Sequence, residues 1–249
     1  MGSFVGEKPI LTVMLQCRTP ERAIELIRKA NKEGADAYGL QVEVLKPEYQ
    51  SPAVVKSIID EMQGRPVYLT NYRSSSNIGK TDEQLADELI EFAEIGADLC
   101  DVMGDMFCRH PEELTEDKMA IEKQMKLIDT LHEKGAEVLM SSHLYKYAPA
   151  ERVLEIAFEQ KRRGADVIKI VTRAGDMAQQ MENLRITTLL KKELGKPFLF
   201  LSGGECSLHR KLGIKLGCCM GLCVYEHDEF STPAQPLLST MKKIRELDF

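Results

Sequence analysis

Four segments of the chain repeat one local order, in which charged residues typical of a helix end precede a glycine and then an apolar run typical of a strand. The glycines are Gly34, Gly96, Gly135 and Gly164, within KEGADAYGLQV, EIGADLCDVM, EKGAEVLMSS and RRGADVIKIV. Each is predicted to end a helix in the left-handed conformation, which glycine adopts without the penalty of a Cβ atom. A chain with this repeat must alternate helices and strands.

Hydrophobic periodicity extends the alternation to eight strand–helix units. The predicted strands are residues 10–15, 37–44, 66–71, 99–103, 138–142, 167–171, 198–202 and 218–224, and the helices include 20–32, 82–94, 117–132, 149–163 and 176–192. Eight such units in 249 residues predict a closed (β/α)8 TIM barrel that spans residues 1–249 as a single domain. A doubly wound open sheet is the alternative, but no GxGxxG motif follows the first strand.

Charge and composition limit the classes of molecule that the protein is expected to bind. The net charge is −6, no block of lysine or arginine is present, and the chain has no tryptophan. A phosphate backbone requires a cationic surface, so nucleic acid is not expected as a partner. No run approaches the roughly 18 apolar residues of a membrane span, so we expect no membrane association and a cytoplasmic location.

Seven cysteines include a cluster in GCCMGLCV, at Cys218, Cys219 and Cys223. The cluster lacks a CxxC pair and a nearby histidine that would complete a zinc site, so no metal is predicted. Buried strand cysteines are the better interpretation.

A lysine interrupts the apolar strand of GADVIKIV. Because strand side chains alternate, Val167, Lys169 and Val171 share one face, which in a barrel is predicted to point inward near the carboxyl end, where barrel active sites lie. Lys169 is then either a structural lysine that pairs with a buried acid or reaches the rim, or a nucleophile that attacks a carbonyl carbon.

A histidine ends the preceding apolar run, in EVLMSSHLYKY. Consecutive barrel strands are neighbours, so His143 is predicted to lie beside Lys169 and to move protons there. The alternative is an ordinary residue at the start of a loop.

These spaced motifs resemble the type I 3-dehydroquinate dehydratases. The family has a strand that ends in Ser-x-His and then GADIVKI, which match Ser141 to His143 and Gly164 to Ile170. The resemblance implies a (β/α)8 barrel, a covalent Schiff base on the lysine, a histidine acid and base, no cofactor and a homodimer.

The same resemblance implies further site residues. Arg73 in LTNYRS occupies the place of an arginine after strand 3, and Asp101 in CDVM that of an acid that positions the histidine. Arg210 in LHRKLG, with Ser231 and Gln235 in STPAQ, matches the residues that contact the substrate's carboxylate and neighbouring oxygens.

The chemistry of Arg210 predicts carboxylate binding independently of the family resemblance, because a planar guanidinium suits a carboxylate. A surface ion pair is the plainer alternative. A phosphate also binds in this region of many barrels, which keeps sugar-phosphate chemistry open.

Strand 2 and the strand 3 loop depart from the family. Gly39, Gln41 and Glu43 stand where the family has Glu-x-Arg-x-Asp, and Asn77 aligns with a glutamate that assists the histidine. We still place Gln41, Glu43 and Asn77 at the substrate, and a different cyclic keto acid is the alternative substrate.

The predicted reaction is the dehydration of 3-dehydroquinate, a keto acid that carries a carboxylate, to 3-dehydroshikimate. Lys169 forms an iminium with the ketone, while His143 removes the adjacent proton and protonates the leaving hydroxyl. A class I aldolase that shares Lys169 but cleaves a carbon–carbon bond, and a non-catalytic ligand-binding barrel, are the other two hypotheses.

Overall fold

The computed structural model describes Phe4 and residues 8–205 and 208–248. Strands and helices alternate through this part of the chain. The strands are β1 (Ile10–Leu15), β2 (Ala37–Gln41), β3 (Val67–Thr70), β4 (Leu99–Met103), β5 (Glu137–His143), β6 (Val167–Ala174), β7 (Phe198–Gly204) and β8 (Met220–Cys223). The α-helices are α1 (Pro20–Glu33), α2 (Pro52–Asp60), α3 (Asp82–Glu94), α4 (Lys118–Glu133), α5 (Ala150–Arg162), α6 (Met177–Glu193), α7 (Leu208–Leu216) and α8 (Leu238–Glu246).

The eight strands form one parallel sheet that curls into a barrel. The strands from β1 to β7 pair in chain order, and β8 pairs with β1. A backbone hydrogen bond of 3.0 Å links Ile10 to Cys219, and one of 2.9 Å from the Cys219 N–H to the Phe198 carbonyl joins the start of β8 to β7. The predicted (β/α)8 barrel is confirmed, and the open sheet is not observed.

The four glycines that were predicted to end helices do adopt the left-handed conformation. Gly34, Gly96, Gly135 and Gly164 have φ values of 81°, 115°, 85° and 103°, in the region that disfavours other residues. Each of these glycines lies between the end of a helix and the buried strand that follows it. The hydrophobic core lies between the helices and the barrel wall.

The second strand ends three residues earlier than predicted. Residues Val42–Val44 form a 3-10 turn that is closed by a hydrogen bond from the Leu45 N–H to the Val42 carbonyl. The turn points the Glu43 carboxyl toward Thr70 of β3, whose hydroxyl lies 2.9 Å from it. This pairing between chain segments favours the turn over a longer strand.

The cysteine cluster packs as apolar residues. Cys223 lies in β8 and Cys218 just before it, and both are buried, while Cys219 is partly exposed. Burial raises the pKa of the Cys218 thiol to about 12. A seventh cysteine, Cys206, lies outside the described residues. Among the helices of the described ranges, none has the length and apolar character needed to cross a membrane.

Candidate active site

Lys169 lies on β6 with its side chain inside the barrel, where it is only 4% exposed. Its Nζ is 3.0 Å from Oδ2 of Asp101 on β4, 2.9 Å from the hydroxyl of Tyr68 and 2.6 Å from that of Tyr72. Three oxygens thus accept hydrogen bonds from one buried ammonium. The predicted inward direction of Lys169 is confirmed.

The Asp101 carboxylate accepts hydrogen bonds from four side chains. Its Oδ2 accepts hydrogen bonds from the hydroxyls of Tyr68 and Tyr72 as well as from Lys169, and its Oδ1 accepts one of 2.5 Å from Ser141. Burial, reinforced by the Asp101 carboxylate, raises the pKa of both phenols well above the usual range. Both phenols therefore remain protonated around a carboxylate–ammonium pair.

His143 ends β5 at the rim of the barrel. Its Nδ1 lies 2.6 Å from Oε2 of Glu113, and the same oxygen accepts a 3.0 Å hydrogen bond from the His143 backbone N–H. The ring of Tyr72 packs edge-on against the imidazole, at 5.5 Å between centroids. The prediction that Asp101 positions the histidine is wrong in this structure, because Asp101 is engaged by Lys169 and the tyrosines while Glu113 holds the imidazole.

Glu113 belongs to the β4–α4 loop, residues 104–117. The backbone of Glu113 has a φ of 46°, and its carbonyl accepts a 2.7 Å hydrogen bond from the Ser142 hydroxyl. A residue other than glycine in this region is strained, so surrounding contacts must hold it there.

Arg163 fixes both ends of that loop from below. Its guanidinium is almost fully buried and donates to the carbonyls of Gly104 and Thr115, at 3.0 and 2.6 Å. It also donates to the side chain of Gln124. The loop that carries Glu113 is therefore anchored by a buried cation.

Glu113 and Arg163 were not predicted from the sequence. Glu113 stands in the acid-rich segment HPEELTED, and nothing in the local pattern separates it from Glu112 or Glu116. The one available signal is that the loop follows strand 4, whose carboxyl end neighbours His143 in a barrel.

A cavity of about 160 Å³ opens above Lys169 at the carboxyl end of the barrel. Its walls are Met14, Gln41, Tyr68, Thr70, Tyr72, His143, Lys169, Val171, Leu201, Arg210, Leu222, Thr232 and Gln235. A second cavity of about 200 Å³ is adjacent and shares Tyr72 and His143 with it. Lysine, histidine and arginine thus face one cavity.

Arg210 stands on the wall of this cavity. Its Nε donates a 3.0 Å hydrogen bond to the Ser202 carbonyl, and within the described part of the chain no carboxylate pairs with it. Burial lowers the pKa of Arg210 to about 10, which leaves it a cation at neutral pH. Nearby, the buried Oε1 of Gln235 has no hydrogen-bond partner among the residues that the structure describes. A positive charge and a polar oxygen are therefore available to a ligand.

Ser231 differs from its predicted placement. Its hydroxyl accepts a 2.9 Å hydrogen bond from the Asp228 N–H and does not line the cavity. Thr232 takes that wall position instead, held by a 2.8 Å hydrogen bond from Gln16. The turn around Asp228 therefore places Thr232, one residue later in the chain, at the wall position that was expected for Ser231.

The residues at and after β2 that depart from the family's pattern pack in or beside the cavity wall. An added Cβ atom at Gly39 would lie 2.2 Å from the Met14 sulfur, so Met14 fills the space of a missing side chain. Gln41 lines the cavity and donates to Glu43 at 3.3 Å. Burial raises the pKa of Glu43 to about 7. Glu43 itself is not a wall residue.

Asn77 and Arg73 are engaged within the protein. The Asn77 amide donates to the Asn71 side chain and, at 3.0 Å, to the Tyr72 carbonyl, and Asn77 does not line either cavity. Arg73 lines the second cavity, but its guanidinium forms ion pairs with Asp82 and Asp105. The placement of Asn77 against substrate is therefore not observed, because its amide supports the backbone of Tyr72.

Comparison with known proteins identifies the family of this chain. The model of the type I 3-dehydroquinase family matches residues 11–249. A 3-dehydroquinate dehydratase of Methanosarcina barkeri is 25% identical over 235 residues, which cover 91% of each chain.

Solved structures show the same fold. The 3-dehydroquinate dehydratase of Geobacillus kaustophilus superposes with a TM-score of 0.82 at 15% identity, over 96% of this chain and 91% of that one. The type I enzyme of Clostridium difficile, solved with a covalently modified comenic acid, has a TM-score of 0.78 at 17% identity, over 96% and 92% of the two chains. With the family model matched along nearly the whole barrel, the chain belongs to the type I 3-dehydroquinase family.

Proposed function

We propose that this protein dehydrates 3-dehydroquinate to 3-dehydroshikimate through an imine on Lys169. The observation that carries the proposal is that one cavity brings together a buried amine, an imidazole and a guanidinium that has no carboxylate partner in the described ranges, from Lys169, His143 and Arg210. A keto acid offers a matching group to each: a carbonyl carbon, an acidic C–H and a carboxylate.

Imine chemistry explains why the lysine is central. The Nζ of Lys169 attacks the ketone carbon, and loss of water gives an iminium that withdraws electrons from the adjacent carbon. His143 removes a proton there, the resulting enamine expels the neighbouring hydroxyl, and His143 returns the proton as that hydroxyl leaves as water. Hydrolysis then frees the product. The iminium is the electron sink, so the reaction takes no metal or organic cofactor.

Glu113 gives His143 the orientation that this role requires. Because Nδ1 bonds to the carboxylate, Nε2 is the ring nitrogen that exchanges protons with the substrate. The carboxylate also stabilises the imidazolium that forms after proton removal. Glu113 thus supplies, from the loop after β4, a carboxylate that the family places at the position of Asn77.

Reductive trapping and turnover test the proposal together. Borohydride added with 3-dehydroquinate is expected to add the reduced substrate to Lys169, located by peptide mass spectrometry, while the enone product absorbs in the ultraviolet. Lys146→Ala is the control, since that amine is exposed and pairs with Glu112. It is expected to keep both adduct and turnover. Turnover without an adduct on Lys169 excludes the mechanism.

A second candidate is a different cyclic keto acid. Met14 fills the space beside Gly39, and Gln41 stands where the family has an arginine, so this wall offers fewer charged partners to ring hydroxyls. A site without those partners binds a hydroxylated ring less selectively. Side-by-side kcat/KM values against a relative with the full Glu-x-Arg motif are expected to be lower for 3-dehydroquinate here. Product analysis separates dehydration from aldol cleavage.

A further inference from the structure

We propose that Tyr72 is a further catalytic residue, which relays a proton between Asp101 and the ketone oxygen of the substrate while the imine forms and while it is hydrolysed. The inference rests on the proposed imine at Lys169. It concerns a different step from that of His143, which acts on the carbon skeleton.

Tyr72 occupies the junction of the site. Its hydroxyl lies 2.6 Å from Nζ of Lys169 and 2.5 Å from Oδ2 of Asp101, and its ring contacts His143 edge-on. It lines both cavities at the carboxyl end of the barrel. A carbonyl carbon that bonds to Nζ carries its oxygen into the immediate surroundings of this phenol.

The first half of the reaction needs a place to store a proton. An ammonium cannot attack, so Lys169 must first transfer a proton to its partner, which leaves a neutral amine and a protonated Asp101. Nζ then attacks the ketone carbon, the N–C bond forms, and the carbonyl π electrons move to oxygen. Tyr72 donates its proton to that oxygen and takes one from the nitrogen, which gives a neutral carbinolamine and restores the phenol.

The second half returns the stored proton. As the C–O bond breaks and the nitrogen lone pair forms the C=N bond, the departing hydroxyl takes a proton from Tyr72, which takes one from Asp101. The products are an iminium, water and the Asp101 carboxylate. The ammonium charge has become the iminium charge, so no proton from solution is consumed. Hydrolysis of the product imine runs the relay backwards.

The phenol is suited to this relay because it never has to persist as an anion. Burial beside Asp101 raises the pKa of Tyr72 well above the usual range. Tyr72 therefore passes one proton on as it receives another. Its backbone is held in place by the 3.0 Å hydrogen bond from the Asn77 amide, which gives that residue a role in the site without substrate contact.

Tyr68 provides a matched control. It too contacts Nζ of Lys169 and Oδ2 of Asp101 and lines the first cavity, but it lies four residues earlier, on β3, is fully buried and does not line the second cavity. Tyr68→Phe and Tyr72→Phe remove the same atom from the same cluster. A purely structural role predicts similar effects, whereas a relay predicts a large effect at Tyr72 alone.

The experiment follows adduct formation with 3-dehydroshikimate, the product ketone, because this probe isolates imine formation from dehydration. Borohydride is added at timed intervals, and the fraction of Lys169 that carries an adduct is measured by mass spectrometry. Tyr72→Phe is expected to slow adduct formation by about 10² to 10⁴-fold, the range of a positioned acid or base. Tyr68→Phe loses the same two hydrogen bonds, to Lys169 and Asp101, but no proton donor at the ketone oxygen, so it is expected to slow adduct formation by less than about tenfold.

Two further measurements separate proton transfer from support. Circular dichroism and thermal unfolding check that both variants fold. Tyr72→3-fluorotyrosine keeps the shape and the hydrogen bonds but makes the phenol more acidic, so it is expected to change the pH dependence of adduct formation; a structural role would leave that profile unmoved. It also serves as the test variant if Tyr72→Phe does not fold.

The outcomes distinguish this inference from the proposed function. Adduct formation by Tyr72→Phe at the wild-type rate, or equal losses in the two phenylalanine variants, overturns the relay and leaves the Lys169 imine standing. If the wild-type protein forms no adduct on Lys169 with either ketone, both proposals are overturned.

Discussion

The two halves of the site hold their reactive groups in different ways. In the nucleophile half, Tyr68, Asp101 and Lys169 all lie on barrel strands and contact one another directly. In the histidine half, His143 ends a strand, but the carboxylate that orients it comes from the β4–α4 loop. The barrel itself fixes these three residues of the first half, to which Tyr72 is added two residues after the end of β3, whereas the second half depends on how the β4–α4 loop is anchored. Substitutions in each half are therefore expected to damage different steps.

The largest effect is expected from Lys169→Ala, which removes the covalent step itself. We expect turnover to fall to the background rate and no adduct to form. The fold is expected to remain, since truncation also removes a buried charge, although Asp101 loses its partner. Turnover and circular dichroism are the measurements. Residual turnover that still depends on an imine would show that another amine is the nucleophile.

Glu113→Gln is expected to slow turnover by roughly 10² to 10⁴-fold, because it removes the charge that orients and stabilises the imidazole. Adduct formation on Lys169 should continue, since that chemistry belongs to the nucleophile half. Glu112→Gln is the matched control on the same loop, where the carboxylate pairs with Lys146 and Arg152. Equal losses in the two variants would remove the special role of Glu113.

Arg163→Met tests the anchoring of the loop without touching the cavity. The Thr115 carbonyl loses its buried donor and the Gly104 carbonyl keeps only those from Gln124 and the Thr115 N–H, so the free energy of unfolding is expected to fall by roughly 1 to 3 kcal/mol. At a temperature where the variant is folded, turnover should fall more than adduct formation. Equal losses of both would show that the two halves are not separable.

Glu43→Gln is expected to change the pH dependence of stability, beside the nucleophile half. Burial raises the pKa of Glu43 from 4.5 to about 7, so the folded protein binds this proton more tightly than the unfolded chain does. The stability from protonated Glu43 is present below about pH 4.5 and is lost as pH rises to about 7, by roughly 3 kcal/mol. The variant should therefore gain stability relative to the wild type across that window in denaturant titrations. A constant difference would contradict a raised pKa.

The smallest effect on chemistry is expected from Arg210→Ala, because Arg210 belongs to neither half. Loss of a charge-assisted contact of roughly 1.5 to 3 kcal/mol should weaken substrate capture by one to two powers of ten. The loss should appear in kcat/KM, while borohydride still traps saturating substrate on Lys169. Unchanged capture would place the carboxylate elsewhere.

The sequence was informative about the nucleophile half because strand geometry is periodic. The alternation of side chains predicted that Lys169 points inward, and the repeat of glycine joints predicted the barrel that brings His143 beside it. The histidine half was mispredicted because loop conformation depends on distant contacts. Only the fold shows that buried Arg163 anchors the loop, and that Glu113 rather than Asp101 then reaches the imidazole.

Smaller errors have the same origin. The last three residues of the predicted second strand alternate like a strand, yet Glu43 turns to meet Thr70 on the neighbouring strand β3. Ser231 matches a family motif and Asn77 aligns with a family glutamate, but local hydrogen bonds to Asp228 and to the Tyr72 carbonyl direct them elsewhere. A motif predicts which residue types are present, whereas side-chain direction in a loop is set by partners far along the chain.

The contact of Met14 with Gly39 couples these two positions beside the cavity. The Cβ atom of a new side chain at position 39 would meet the Met14 sulfur and would lie 3.1 Å from the ring of Tyr68. The methionine would then swing into the cavity and reduce the room for substrate. Met14 meets the added atom with the far end of a flexible side chain, so the two residues would adjust together. Positions 14 and 39 therefore share one volume beside the cavity, and the size of one side chain sets the room left for the other.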